Sequence, residues 1–424
     1  MTLGSQRDRR ANRTPLLGRA AELESLAHVL DELNGGGAHA IELVGEPGIG
    51  KTRLLSEFAA DAELRGHLVL PGSASELERE LPFSVFVHAL DEYVEGLDFD
   101  QLSTLDDDVQ AELAHVLPSL SALAGRRAVA LQHERYRSHR AVRALLEHLA
   151  QTRPLVLVLD DIHWADSASI ELLGALLRRP PATAVITAFA LRPRQTPERL
   201  VAALERAHRA TALTRVELAA LTPAEARELL GERVDASVAA VIYGECGGNP
   251  FYLEQLARSL ERAGGSRAAP KVPLTGIEIP PAVAASLNEE LALLSSGGRV
   301  VLDGAAVAGD PFEPELAAAA AGASEALAVD AVDELLQLDL IRATDVPRRF
   351  RFRHPLVRRA VYEASAAGWR LGAHERCAEV LAARGVAAAG RAHHVERSAR
   401  QGDVSAIAVL REAGEAAARL APQS

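Results

Sequence analysis

One short segment limits what this chain can fold into more than any other: Gly45-Glu46-Pro47-Gly48-Ile49-Gly50-Lys51-Thr52, which fits G-x-x-x-x-G-K-[ST] at every position. An apolar run, Ala40 to Val44, leads into it and reads as a buried strand, and a helical pattern resumes from Arg53 to Leu64. Strand, glycine loop and helix are the parts a phosphate cradle needs. Glycines let backbone amides curl around phosphate oxygens, and the helix adds the positive end of its dipole. Lys51 is expected to reach the β- and γ-phosphates and the Thr52 hydroxyl to ligate Mg²⁺, with Arg53 completing the binding set. The ligand expected is ATP or ADP with Mg²⁺.

Further apolar runs alternate with helical patterns downstream: Leu68 to Leu70, Leu155 to Leu159, Ala184 to Ala190 and Thr214 to Leu218. Such alternation implies an α/β sheet of parallel strands, with ligands at the C-terminal strand ends. The run Leu155 to Leu159 closes on Asp160-Asp161. Asp160 stands where P-loop enzymes place the carboxylate that holds Mg²⁺, and Asp161 could orient or activate an attacking water. An Asp pair can also simply cap a strand or helix end. Asp166 reads as the N-cap of a helix starting at Ser167 rather than as a ligand. Arg192, just past a strand, could touch a γ-phosphate or be an ordinary loop residue, and spacing does not decide between them.

At 424 residues the chain is too long for one ordinary core, and a formal net charge of −12 argues against a large nucleic-acid footprint. No apolar run is long enough to span a membrane, the first residues lack the apolar core of a secretory signal, and the two cysteines are far apart without metal spacing. A cytoplasmic protein without membrane attachment is expected, beginning with a flexible tail over 1–14.

Beyond the α/β region, 15–219, the periodicity changes. Thr222-Pro223-Ala224-Glu225 carries the marks of a helix start, and helices over 220–266, broken at Gly247-Gly248-Asn249-Pro250, read as a helical lid. A Gly/Pro-rich linker is expected over 267–279. Residues 280–366 hold helices and then two short strand-like segments, Leu340 to Thr344 and Phe350 to Arg353, the outline of a winged-helix domain; 367–424 is helical again. Arg348, Arg349, Arg351, Arg353, Arg358 and Arg359 form a basic stretch.

Taken in order, Leu17-Gly18-Arg19 with Glu22-Leu23, GEPGIGKT, LVLVLDDIHWAD, Leu191-Arg192-Pro193, GGNPFYLEQL and RFRHPLVRRAVYE resemble a STAND-class signalling ATPase. The resemblance is strongest to the large ATP-binding, MalT-like regulators of the LuxR family, and it runs from about residue 15 to the end. It implies an AAA+/STAND-like P-loop NTPase fold followed by lid, winged helix and the start of tetratricopeptide-like repeats. It also implies roles: Gly18 and Arg19 near adenine and ribose, Arg192 as a sensor arginine facing the γ-phosphate, Pro250 on the base. His354 would reach the β-phosphate of ADP, although on its own terms a His before a Pro reads as structural.

Such proteins continue into helical repeats and end in a DNA-binding helix-turn-helix. Here the sequence stops at Leu420-Ala421-Pro422-Gln423-Ser424 with no such pattern, so a shortened chain is expected, contacting DNA only through a domain it lacks. The function expected is an ATP/ADP-dependent switch with slow hydrolysis, self-association in the ATP state and an unidentified inducer. Two other readings stay open: a DNA-associated initiator or loader ATPase that uses the winged helix, and a nucleotide-binding scaffold that does not hydrolyse.

Overall fold

The computed structural model describes residues 16–33, 35–97, 102, 104–123, 134–196, 198–209, 213–262 and 279–420. The expected tail over 1–14 and all but the last residue of the expected linker lie outside them, as do the final four residues. The chain divides into two compact units after Leu229.

The first unit is built on five parallel strands: β1 (His39–Val44), β2 (Leu68–Ser73), β3 (Leu155–Asp160), β4 (Val185–Leu191) and β5 (Leu213–Glu217). Their order is β2-β3-β4-β1-β5, with Val44 in register with Leu191 and Leu159 with Phe189. β3 and β4 are almost wholly buried, as the continuous apolar runs require of central strands covered on both faces. The helices are α1 (Ala20–Leu33), α2 (Lys51–Leu64), α3 (Ser84–Glu95), α4 (Asp107–Leu113), α5 (Glu134–Leu149), α6 (Ser167–Arg178), α7 (Glu198–Arg209) and α8 (Pro223–Leu230).

On one face of the sheet, Leu26, Val29, Leu30 and Leu33 of α1 and Leu54, Leu55 and Phe58 of α2 pack with Ile41 and Leu43 of β1. Each such side chain contributes about 1.5–3 kcal/mol by leaving water, and that anchors the loop between β1 and α2.

The first compact unit runs on past residue 219 through most of α8. The reason is local. Leu221 and Glu225 lie so close to Gly18 that a Cβ there would meet the Leu221 Cδ2 at 2.7 Å. The α8 start is a capping box, with the Glu225 carboxylate accepting from the Thr222 amide at 2.8 Å and the Thr222 hydroxyl accepting from the Glu225 amide at 3.3 Å.

The second unit holds α9 (Ala236–Cys246), α10 (Pro250–Arg262), α11 (Pro281–Leu291), α12 (Ser296–Ala308), α13 (Pro314–Ala321) and α14 (Glu325–Gln337). An antiparallel hairpin follows, β6 (Ile341–Ala343) and β7 (Phe350–Phe352), to which Phe312 adds a bridge through Phe350. Then come α15 (Pro355–Ala364), α16 (Ala367–Ala383), α17 (Ala388–Ser398) and α18 (Val404–Leu420). Both short strands expected from sequence are present.

A buried ion pair braces this unit: Arg353, at the end of β7, donates to Glu290 of α11 at 3.0 Å and to the Tyr252 hydroxyl of α10 at 3.4 Å. Among the described residues no helix is long and apolar enough to cross a membrane.

Candidate nucleotide site

The C-terminal ends of the three central strands of the first sheet meet. β1 runs into the loop Gly45 to Gly50, β3 ends in Asp160, and β4 delivers Leu191 and Arg192. Because β4 lies between β1 and β3, the sheet order alone brings these segments together.

The loop has the backbone a phosphate cradle requires. Gly48 and Gly50 have φ of +72° and +105°, a region closed to most side chains, and Gly50 caps α2. Ile49 turns inward and joins the core, and Pro47 is buried, so the loop is pinned from below while Gly48 faces solvent. The Lys51 side chain is only 6% exposed, and its ammonium donates to the carbonyls of Gly45 and Glu46, both at 2.9 Å. Arg53 pairs with Glu57 one turn along α2 at 3.1 Å.

Thr52 and Asp160 line one open cavity of about 410 Å³ with Ser56, Ser73 and His88. Their hydroxyl and carboxylate are the hard oxygen donors Mg²⁺ prefers, and that ion keeps most of its waters when bound by so few protein groups. The residues present therefore fit a Mg²⁺-nucleotide. The Asp160 carboxylate also accepts from the Asp161 amide at 2.9 Å, which turns the chain sharply: Asp161 has φ +52°. Strain of this kind at a non-glycine residue persists where surrounding structure imposes it, often at a working site.

Asp161 leads into a short 3-10 turn, Ile162–Trp164. His163 in that turn is 1% exposed, and its Nδ1 lies 3.9 Å from Asp161 Oδ1. Burial, and after it the charges of Arg192, Lys51 and Arg79, push its imidazole down to about 2. Arg79 stacks over the Trp164 ring at 4.9 Å, covering the turn.

Arg19 occupies a place the sequence did not suggest. Only 4% exposed, it donates to the carbonyl of Ala219 at 2.6 Å and to that of Ile49 at 3.3 Å. It therefore braces the phosphate loop against the chain leaving β5. Arg192 is half-buried and donates to Gln195 at 3.4 Å.

Pro250 and His354 belong to the second unit. Pro250 is the first residue of α10, which Asn249 caps by accepting from the Phe251 amide at 3.2 Å. His354 is 4% exposed and packs edge-on to Tyr252, with ring centroids 5.9 Å apart. The segments GGNPF and RFRHP, far apart in sequence, thus meet within one unit. Sequence reasoning singled out both and had no signal for their contact.

Comparison with known proteins places part of the chain. Residues 15–187 match the AAA ATPase domain family. The matched segment contains the phosphate loop, Asp160, Asp161 and His163 and ends inside β4, so the match takes in the residues gathered at these strand ends except Arg192. A protein of Rhizobium meliloti (strain 1021), described as uncharacterized, is 27% identical over 416 residues, covering 91% of this chain and 39% of that protein. The chain therefore spans well under half the length of that relative.

Among solved structures, a Walker-type ATPase of Pyrococcus abyssi gives a TM-score of 0.48 at 13% identity, covering 82% of this chain and 96% of that one. A STAND protein with a tetratricopeptide repeat sensor from Pyrococcus horikoshii gives 0.33 at 15% identity, covering 93% and 50%. The Orc1 protein of Aeropyrum pernix, in complex with DNA, gives 0.42 at 19% identity, covering 83% and 94%.

Proposed function

We propose that the chain is the ATP-binding switch module of a signalling regulator, one that binds Mg²⁺-ATP, hydrolyses it slowly and responds differently to ATP and ADP. The observation that carries this reading is the convergence of Lys51, Thr52, Asp160 and Arg192 at the C-terminal ends of the central strands, in and just beyond the segment that matches the AAA ATPase domain. Thr52 and Asp160 would hold Mg²⁺, which when bound neutralises charge on the phosphates. Lys51 and Arg192 would face the β- and γ-phosphates, and Asp161 would orient the attacking water.

The finer parts of the proposal rest on the resemblance drawn from sequence. Pro250 and His354 are proposed to sense the nucleotide from the second unit, 280–366 to be a winged helix and 367–424 to open a repeat array. Self-association in the ATP state, an inducer, and DNA contact through a further domain belong to the same reading. A switch of this kind works only if the two nucleotides differ in affinity for its two states.

The basic stretch does not favour the DNA-loader alternative. Arg348 pairs with Glu315, Arg349 with Glu313, Arg353 with Glu290 and Arg359 with Glu363, so most of its charge is met inside the unit.

The test is Asp161→Asn in the full chain. It should keep Mg²⁺-ATP binding while hydrolysis falls about 100-fold, within the range set by a positioned acid–base group. Loss of binding and turnover in equal measure would remove Asp161 from that role.

A further inference from the structure

The proposed hydrolytic role leaves one group of the site unused. Neither ring nitrogen of His163 has a hydrogen-bond partner among the described residues, although the side chain is 99% buried by its 1% exposure. An unpaired buried polar atom costs stability, so an imidazole here weakens the fold unless something else makes use of it. Its surroundings say what that is. The turn carrying it packs on β4, which leads to Arg192; Asp161 is beside its Nδ1; and the Lys51 and Arg192 charges act on it. Trp164 lies against it, with ring centroids 5.2 Å apart.

We infer that His163 is a further catalytic residue, which together with Asp161 holds the water that attacks the γ-phosphate of ATP; the inference rests on the hydrolysing-switch reading above. A carboxylate facing Nδ1 favours the tautomer with the proton on that nitrogen, leaving the Nε2 lone pair to accept a hydrogen bond from water. The ring holds the water and does not keep its proton. Burial and the cations of Arg192, Lys51 and Arg79 hold the ring neutral, with its basicity pushed down to about 2.

In the step itself a bond forms between the water oxygen and the γ-phosphorus, and the bond from that phosphorus to the β,γ-bridging oxygen breaks. ADP leaves, and the proton lost by the water passes to an oxygen of the released phosphate. Asp161 and His163 fix the water's direction of approach, which is where most of the gain in phosphoryl transfer arises.

His163→Phe keeps the shape of the ring and removes both nitrogens; His163→Asn restores an acceptor. In the full chain, His163→Phe should lower kcat for Mg²⁺-ATP about 10- to 100-fold while KM and ADP affinity stay within about threefold, and His163→Asn should recover part of the loss.

A second readout does not depend on turnover. In protein labelled with ¹⁵N-histidine, the His163 ring signals, assigned by their loss in His163→Asn, should move when beryllium fluoride is added to the ADP-bound protein. They carry the test should His163→Phe fail to fold. Wild-type kcat in His163→Phe, a joint fall of kcat and ADP affinity, or unmoved ring signals would each overturn the inference alone. Wild-type protein that binds Mg²⁺-ATP through Lys51 and never hydrolyses it would overturn both this inference and the hydrolytic part of the switch reading.

Discussion

The imidazole of His354 lies directly on Gly247, so close that a Cβ built at Gly247 would stand 2.4 Å from His354 Nδ1. Gly247 also ends α9 with a φ of +58°. Two conditions thus fall on one residue, a left-handed backbone and room for a ring, and only glycine meets both.

Gly247→Ala should therefore destabilise the second unit by about 2 kcal/mol or more, from the left-handed backbone cost of about 1–2 kcal/mol plus the clash. In a His354→Ala background the clash is gone, and the cost should fall to the backbone part alone. Denaturant titration of the four proteins in this double-mutant cycle gives the coupling. An equal cost in both backgrounds would mean the two residues do not meet.

Asp166 is expected to be the costliest helix cap among the described residues. Its carboxylate accepts from the amides of Ala168 and Ser169, both at 2.9 Å, at the start of α6, and from those of Phe83 at 3.0 Å and Ser84 at 3.1 Å at the start of α3. A single cap is worth about 0.5–2 kcal/mol, so Asp166→Ala, which removes two, should cost about 2–4 kcal/mol. A loss no larger than that of an ordinary cap, measured by denaturant unfolding, would show that α3 does not depend on it.

Arg19 should matter to phosphate affinity as well as to the base. Arg19→Ala frees the Ile49 and Ala219 carbonyls from their brace, and ADP affinity is expected to fall about tenfold, close to 1.4 kcal/mol. Arg19→Lys should recover only part, because an ammonium cannot span two carbonyls as a planar guanidinium does. Isothermal titration with ADP and GDP separates the two effects. A change confined to the ADP-over-GDP preference would return Arg19 to a role at the base alone.

Acid should weaken the second unit through two facing histidines. His374 and His394 meet Nδ1 to Nδ1 at 2.9 Å, and the Tyr362 hydroxyl lies 3.0 Å from His374 Nε2. Burial, with the charges of His394, His393, Arg397 and Arg358, pushes His374 down to about 4, and burial with His393 and Arg358 does the same for His394. In the unfolded chain both titrate near 6.5. The unfolded state thus binds more protons between these values, so stability is full above pH 6.5 and is lost as pH falls toward 4. His163 acts in the same direction. His374→Gln/His394→Gln should flatten the fall in Tm between pH 7 and 5 without abolishing it, and an unchanged slope would count against the pair.

Much of this was legible in the residues. The phosphate loop, the alternation of strands and helices, the Asp166 cap and the Thr222 capping box depend on local chemistry, and each stands in the structure where its spacing puts it. What the sequence hid are relationships between distant segments. Arg19 reaches the carbonyl of Ala219, Asp166 caps a helix that begins at Ser84, and His354 rests on Gly247. No periodicity encodes such pairs, because tertiary packing decides which surfaces meet. His163 could have been suspected from its place in DDIHWAD, but only its position beside Asp161, with the Arg192 and Lys51 charges acting on it, distinguishes it from another buried histidine with unpaired nitrogens such as His67.

The central claim, that this chain holds an adenine nucleotide through its phosphate loop, is tested most directly by identifying what is released when freshly purified protein is denatured, with Lys51→Ala as control. Near-stoichiometric ADP is expected from the wild type and none from the variant. Wild-type protein that is empty, and that also fails to take up Mg²⁺-ATP, would contradict the claim.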